Sequence, residues 1–132
     1  MTKKAYFKVL VGCIMILIHS SVWADTISDA QAVRAIIGEA SNQGYVGMYA
    51  VASGIRNRGS LKGVYGLKAK HVDLEPKWVW DMARKAWKES KVKRLHIGDY
   101  WENIKTFGTP SWVKGMKEVY RIKDHVFYAQ KG

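Results

Sequence analysis

Three stretches of this chain carry apolar residues at helical spacing. The first follows Ser28-Asp29-Ala30-Gln31, which has the layout of a capping box with Ser28 at the cap and Gln31 three residues on. Ala30, Val33, Ile36, Ile37 and Ala40 then fall on one side of a predicted helix, and Asn42 to Gly44 ends it. A second helix is predicted from Val46 to Arg58, with Met48, Val51, Ala52 and Ile55 inward and Gly59 as the C-terminal cap. Its Gly47, Ser53 and Gly54 are poor helix formers that permit close helix–helix approach. Pro76 opens a third helix at a first-turn position, with Val79, Met82, Ala83, Ala86 and Trp87 inward and Lys85, Lys88 and Glu89 outward.

Between and after these helices the periodicity changes. Residues 60–75 and 91–109 show no clear period, and irregular stretches of that length in a small domain are often functional. Pro110-Ser111 precedes a short segment with Trp112, Val113 and Met116 at helical spacing. Glu118 to Tyr128 alternates as a hairpin turning near Lys123-Asp124. The expected class is α+β, mostly α, with a small C-terminal β-hairpin.

The N-terminus reads as an address. Lys3, Lys4 and Lys8 precede an apolar run from Val9 to Ile18, and Val22-Trp23-Ala24 fits a small-x-small cleavage site, the layout of a secretory signal over residues 1–24. The apolar run is short of the roughly 20 residues that span a bilayer. Cys13 lies in a segment that superficially resembles a lipoprotein box, but Ile14 to Ile18 continue the apolar run past it. The expected mature protein is one domain, residues 25–132, secreted or periplasmic and monomeric, with no membrane span.

Cleavage after Ala24 removes the chain's single cysteine, and with it any disulfide, thiolate nucleophile or cysteine metal ligand. The remaining His71, His96 and His125 are widely spaced and form no HExxH-type pair, so no metal site is expected. No glycine-rich phosphate loop follows a strand, and no cofactor is expected. The formal net charge is +11 for the whole chain, and losing three lysines leaves +8. Such a field attracts anionic partners. Export favours an anionic cell wall over nucleic acid, which is not expected as a partner. Lys91, Lys93 and Arg94 form a short basic cluster of the kind that is usually solvated.

Glu39 is the first candidate for chemistry. It lies beside the apolar face in Ile36-Ile37-Gly38-Glu39-Ala40, where a carboxyl resists ionisation and acquires the raised pKa of a general acid. The structural alternative is a carboxylate that caps a helix or pairs with a lysine. Among the aromatics, Trp87 and Trp112 share apolar faces and are assigned to the core. Trp78 and Trp80 are two apart on a helix and point to different sides, so at least one is exposed.

Several blocks in order resemble the SleB-type cell wall hydrolases, the spore-cortex-lytic enzymes and their relatives. These are Ile36-Ile37-Gly38-Glu39-Ala40-Ser41, Gly44 to Ala52, Ile55-Arg56-Asn57-Arg58, Gly63-Val64-Tyr65, Gly98-Asp99-Tyr100-Trp101-Glu102-Asn103, Phe107 to Trp112, and Ile122 to Tyr128. The resemblance covers nearly the whole mature chain. It departs at Ala69-Lys70-His71-Val72, where the family has a Gln-Phe-Ser-like stretch, and at Leu95-His96-Ile97-Gly98, where the family has Thr-Gly-Gly before the second block. The resemblance implies a lysozyme-like fold and cleavage of the peptidoglycan glycan strand between MurNAc and GlcNAc. It implies that Glu39, the glutamate of the GEA block, is the catalytic acid, and that Tyr65, Tyr100, Trp101, Glu102 and Asn103 contact substrate. Asn103 would hold an N-acetyl group or cap its loop.

Glycosidic cleavage needs an acid at the leaving oxygen and a group to complete reaction at the anomeric carbon. With one carboxyl, the muramic acid C6 hydroxyl completes it and gives a 1,6-anhydro product. With two, water or an enzyme nucleophile does so, and Asp99 and Glu102 are the candidates for the second. The single-acid lytic transglycosylase is the favoured reading. The alternatives are a hydrolytic muramidase, a non-catalytic basic wall-binding or antimicrobial protein, and an exported nucleic-acid binder.

Overall fold

The computed structural model describes residues 26–132. The expected signal segment, with Cys13, and Asp25 lie outside the described residues. Three helices, α1 (Asp29–Ala40), α2 (Gly44–Arg58) and α3 (Lys77–Val92), pack on one another. Two 3₁₀ turns, Tyr65–Lys68 and Lys70–Leu74, lie against α1. After α3 come β1 (Tyr100–Asn103), a single-turn α4 (Ile104–Phe107), a 3₁₀ turn at Ser111–Val113, β2 (Met116–Ile122) and β3 (His125–Gln130). The strands form one antiparallel sheet in the order β1-β3-β2.

Ser28 caps α1 through its hydroxyl, which accepts from the Gln31 N–H at 3.2 Å. Ala30 is exposed, contrary to the predicted stripe, while Ala32 and Ala35 are fully buried beside Val33, Ile36, Ile37 and Ala40. The apolar stripe is wide because α1 is packed by α2, α3 and both 3₁₀ turns. The second helix begins at Gly44, two residues before the predicted start, and ends at Gly59 in the left-handed conformation (φ 74°) with its N–H on the Ile55 carbonyl. Pro76 stands one position before the first residue of α3, where its carbonyl receives the Val79 N–H. Trp87 is buried against the helices, and its indole N–H donates to Asp29 Oδ1 at 2.7 Å. The Arg56 guanidinium lies 3.5 Å above the Trp87 ring and donates to the Trp87 carbonyl and the Ser90 hydroxyl, joining α2 to α3. Trp78 is exposed and Trp80 is half-buried, so the two do face different environments.

The expected hairpin is present, with Lys123 (φ 48°) and Asp124 at its turn. Two expectations around it need correction. The stretch 91–109 contains a strand, β1, whose pairing with β3 supplies the order that its short Tyr-Trp-Glu-Asn sequence does not advertise. The predicted helical segment through Met116 is only a 3₁₀ turn, because Gly115 at φ 85° breaks it and Met116 opens β2. The central strand β3 buries His125, Val126, Phe127 and Tyr128 in succession, as a strand covered on both faces does. Gln43, buried between α1 and α2, bonds both the side chain and the backbone N–H of Asp124 and ties the hairpin turn to the helices.

Candidate active site

Glu39 lies in the last turn of α1, next to the fully buried Ile36, Ile37 and Ala40. Its carboxyl is half-buried at the wall of a cleft of about 780 Å³. The Gly66 N–H, in the first 3₁₀ turn, donates to Glu39 Oε1 at 3.0 Å. Neither contacting glycine has room for a side chain. A Cβ on Gly66 would stand 2.6 Å from the Ala35 carbonyl oxygen, and a Cβ on Gly38 would stand 1.9 Å from the Gly66 oxygen. The two backbones therefore touch, and this contact delivers a donor to the carboxylate. The second 3₁₀ turn, which follows directly, is held to α1 by the two-pronged Arg34–Asp73 ion pair, with both contacts at 2.8 Å, and by His71 Nε2 near the Gly38 carbonyl at 3.3 Å.

Arg58, in the last turn of α2, links the two loops that form the cleft. Its Nε donates to the Asp99 carbonyl at 2.9 Å and its Nη1 to the Lys62 carbonyl at 3.0 Å. The guanidinium lies over the rings of Trp101 (4.5 Å) and Tyr100 (5.1 Å). Its neighbour Asn57 donates to both the His96 and Gly98 carbonyls at 2.8 Å. Together Asn57 and Arg58 fix the approach to β1 and thereby the positions of Tyr100, Trp101 and Glu102. Gly54 provides the space for Trp101: a Cβ there would come within 2.8 Å of the indole ring. The small residues of α2 thus admit an aromatic ring from the sheet as well as a neighbouring helix.

Burial raises the Glu39 pKa and is the largest influence on it. The hydrogen bonds from Gly66 and from the Trp101 side chain oppose it, the nearby Glu102 charge adds to it, and Arg58 opposes it. The result is a carboxyl biased towards its protonated form beside an open cleft. Burial also lowers the Arg58 pKa, against Tyr100, Asp99 and Glu39. Behind the site, His125 is buried and engages the Glu39 backbone, and burial lowers its pKa as well.

No protein-family model matches the sequence. No curated protein matches it either. Among solved structures it matches the catalytic domain of the germination-specific lytic transglycosylase SleB from Bacillus anthracis, at 25% sequence identity and a TM-score of 0.53. The match covers 80% of this chain and 97% of that one. The chain has the SleB catalytic-domain fold.

Within this SleB-like fold, Glu39, Tyr65, Tyr100, Trp101 and Glu102 all line the one cleft. Both irregular stretches contribute to it, the first through Ser60, Lys62 and Gly63 as well as Tyr65. Asn103 is not among the lining residues. Its side-chain oxygen accepts from the Thr106 N–H at 2.9 Å and caps α4, the capping alternative for this residue. Of the two candidate second carboxylates, Glu102 lines the cleft and Asp99 does not; Asp99 offers Arg58 its backbone carbonyl. Trp112 is 40% exposed and lines the cleft, which corrects its assignment to the core. Its helical spacing with Val113 and Met116 misled, since the segment is not a continuous helix.

Sequence reasoning gave no role to Arg58, Gly66, Lys62 or Phe107, although Arg58 ends a matched block. The departure at Leu95-His96-Ile97 has a local explanation. His96 is buried, accepts the Gly98 N–H at Nδ1 and contacts the Ala50 carbonyl through Nε2, which fixes the turn with a side chain. Among the described residues no group of three or more His, Cys, Asp or Glu is placed to hold a metal ion. No described helix is long and apolar enough to cross a membrane.

Proposed function

We propose that this protein cleaves the glycan strand of peptidoglycan between MurNAc and GlcNAc, as a lytic transglycosylase with Glu39 as its single general acid and base. The observation that carries the reading is a half-buried carboxyl, its pKa raised by burial, at the wall of an aromatic-lined cleft. The shared fold with the SleB lytic transglycosylase domain supports a peptidoglycan-acting enzyme.

The chemistry follows from the surroundings of Glu39. The protonated carboxyl donates its proton to the glycosidic oxygen as the bond to the anomeric carbon breaks, and GlcNAc leaves with a free hydroxyl. Glu39, now a carboxylate, is stabilised by the Gly66 N–H and the Trp101 side chain. It then takes the proton of the muramic acid C6 hydroxyl as that oxygen closes on the anomeric carbon. The product is a 1,6-anhydro ring, and the acid is regenerated. The rings of Tyr65, Tyr100, Trp101 and Trp112 offer flat apolar faces to the sugars.

One specific observation favours a second reading. Glu102 shares the cleft with Glu39, so in a hydrolytic muramidase it would activate water at the anomeric carbon.

The proposal extends to location. A cleaved signal over residues 1–24 would deliver the domain, residues 25–132, outside the cytoplasm, where its +8 charge favours an anionic wall. The test is incubation of the 25–132 protein with purified peptidoglycan from several wall types. Release of soluble muropeptides is expected. Binding without release from any of them would overturn the enzyme in favour of a non-catalytic wall binder.

A further inference from the structure

A second hollow of about 600 Å³ adjoins the first and shares Tyr100 and Trp112 with it. Trp112 stands between the two, its ring 5.9 Å from that of Tyr100 and edge-on to Tyr128 at 5.5 Å. The charge of the two hollows differs. The first mixes Glu39 and Glu102 with Arg58 and Lys62. The second is lined by Lys114 and Lys131 together with the neutral Gln130, and among the described residues no carboxylate lines it.

This basic hollow is held by the sheet. Met116 pairs with Gln130, and the Lys131 N–H continues the ladder by donating to the Gly115 carbonyl at 3.3 Å. Gly115 takes φ 85°, which suits glycine and turns the chain into β2. Lys114 and Lys131 thus flank one paired step at the end of two neighbouring strands. Neither forms an ion pair among the described residues.

We propose that this hollow binds the peptide stem of the muramic acid unit through the stem's carboxylates. The inference rests on the glycan-cleaving reading and extends it to the substrate's side branch. A glycan strand is uncharged along its GlcNAc rings, so two unpaired ammonium groups would gain nothing from them. The lactyl-linked stem carries free carboxylates and leaves the strand sideways. A muramic acid ring seated at Tyr100 and Trp112 would send that branch past the indole into the lysine-lined hollow. Exposed charge pairs of this kind contribute modestly and are screened by salt.

The experiment compares wild type with the Lys114→Ala/Lys131→Ala protein on two substrates. One is peptidoglycan freed of secondary wall polymers; the other is the same material with its stems removed by an amidase and the lactyl carboxylate that this frees capped as its methylamide. A charge-matched control, Lys88→Ala/Lys91→Ala, removes two exposed lysines of α3 that line neither hollow. The hollow variant is expected to lose about three- to tenfold in kcat/KM on the stemmed substrate, through KM, and less at high salt. It should match wild type on the stripped strands, and the control should match wild type on both. Equal losses on the two substrates, no loss on the stemmed one, or the same loss in the control would overturn the proposal while leaving glycan cleavage intact. Wild type inactive on both substrates would instead overturn the glycan-cleaving reading, and this inference with it.

Discussion

The backbone N–H of Gly66 donates to Oε1 of Glu39 at 3.0 Å, and Gly66 lies so close to α1 that it has no space for a Cβ. A donor fixed on the backbone needs no side-chain ordering when charge develops on the carboxylate.

Gly66→Ala should therefore affect both stability and activity. The new methyl would stand 2.6 Å from the Ala35 carbonyl oxygen and 2.6 Å from Glu39 Cγ. Overpacking of this kind costs about 1–3 kcal/mol, and here it also pushes the donor away from the carboxylate. Urea unfolding should show a lower midpoint with an unchanged slope, and muropeptide release should fall under conditions where the variant is folded. A variant with wild-type activity would contradict the placement of Gly66.

Arg58 is the joint between the two loops of the cleft. Arg58→Lys keeps the charge but cannot reach the Asp99 and Lys62 carbonyls together with one planar group. The lysine variant is expected to lose activity nearly as fully as Arg58→Ala. Recovery of wild-type kcat/KM by lysine would mean that charge near Glu39, not loop positioning, is what Arg58 supplies.

Glu39 carries a stability cost that its replacement should relieve. Its folded pKa is raised above the ordinary 4.5, mainly by burial. The unfolded chain thus ionises first as pH rises, and stability falls between 4.5 and the folded pKa and stays lower at neutral pH. Glu39→Gln cannot ionise, so its melting temperature at pH 7 should exceed that of wild type. The gain should close as pH drops below about 4.5. An equal or lower melting temperature at pH 7 would count against a raised Glu39 pKa.

Buried histidines act in the opposite direction. Burial lowers the pKa values of His96 and His125 from 6.5, against the Ala50 carbonyl for the first, and Asp124 and the Glu39 backbone for the second. The unfolded chain then takes up protons first as the solution acidifies. Their stabilisation is complete above about pH 7 and is lost as pH falls through 6.5 towards the folded values. In the Glu39→Gln background, which removes the opposing carboxyl, the urea midpoint should drop between pH 7.5 and 5. His125→Gln should make that drop shallower.

How much of this was legible depended on whether the signal was local. The Ser28 cap, the Gly59 stop and the Lys123-Asp124 turn are set by nearby residues, and all three stand where the pattern put them. Glu39 was visible because a carboxyl interrupts an apolar helix end. Strand β1 and the 3₁₀ turn at Trp112 were not visible, since β1 is ordered by pairing with β3 and Trp112 packs on Tyr100 and Tyr128. Gly66 and Arg58 escaped for a similar reason. Their partners lie 27 and 41 positions away at the Glu39 carboxylate and the Asp99 carbonyl, beyond any local periodicity.

The most direct test compares the 25–132 protein and its Glu39→Gln variant on purified peptidoglycan, with mass spectrometry of the soluble products. Wild type should release 1,6-anhydro muropeptides, and the variant should be slower by about 100- to 10,000-fold, the range for loss of a general acid. Products with free reducing ends would contradict the single-acid mechanism and transfer attention to Glu102. Undiminished release by the variant would contradict the assignment of Glu39 as the acid.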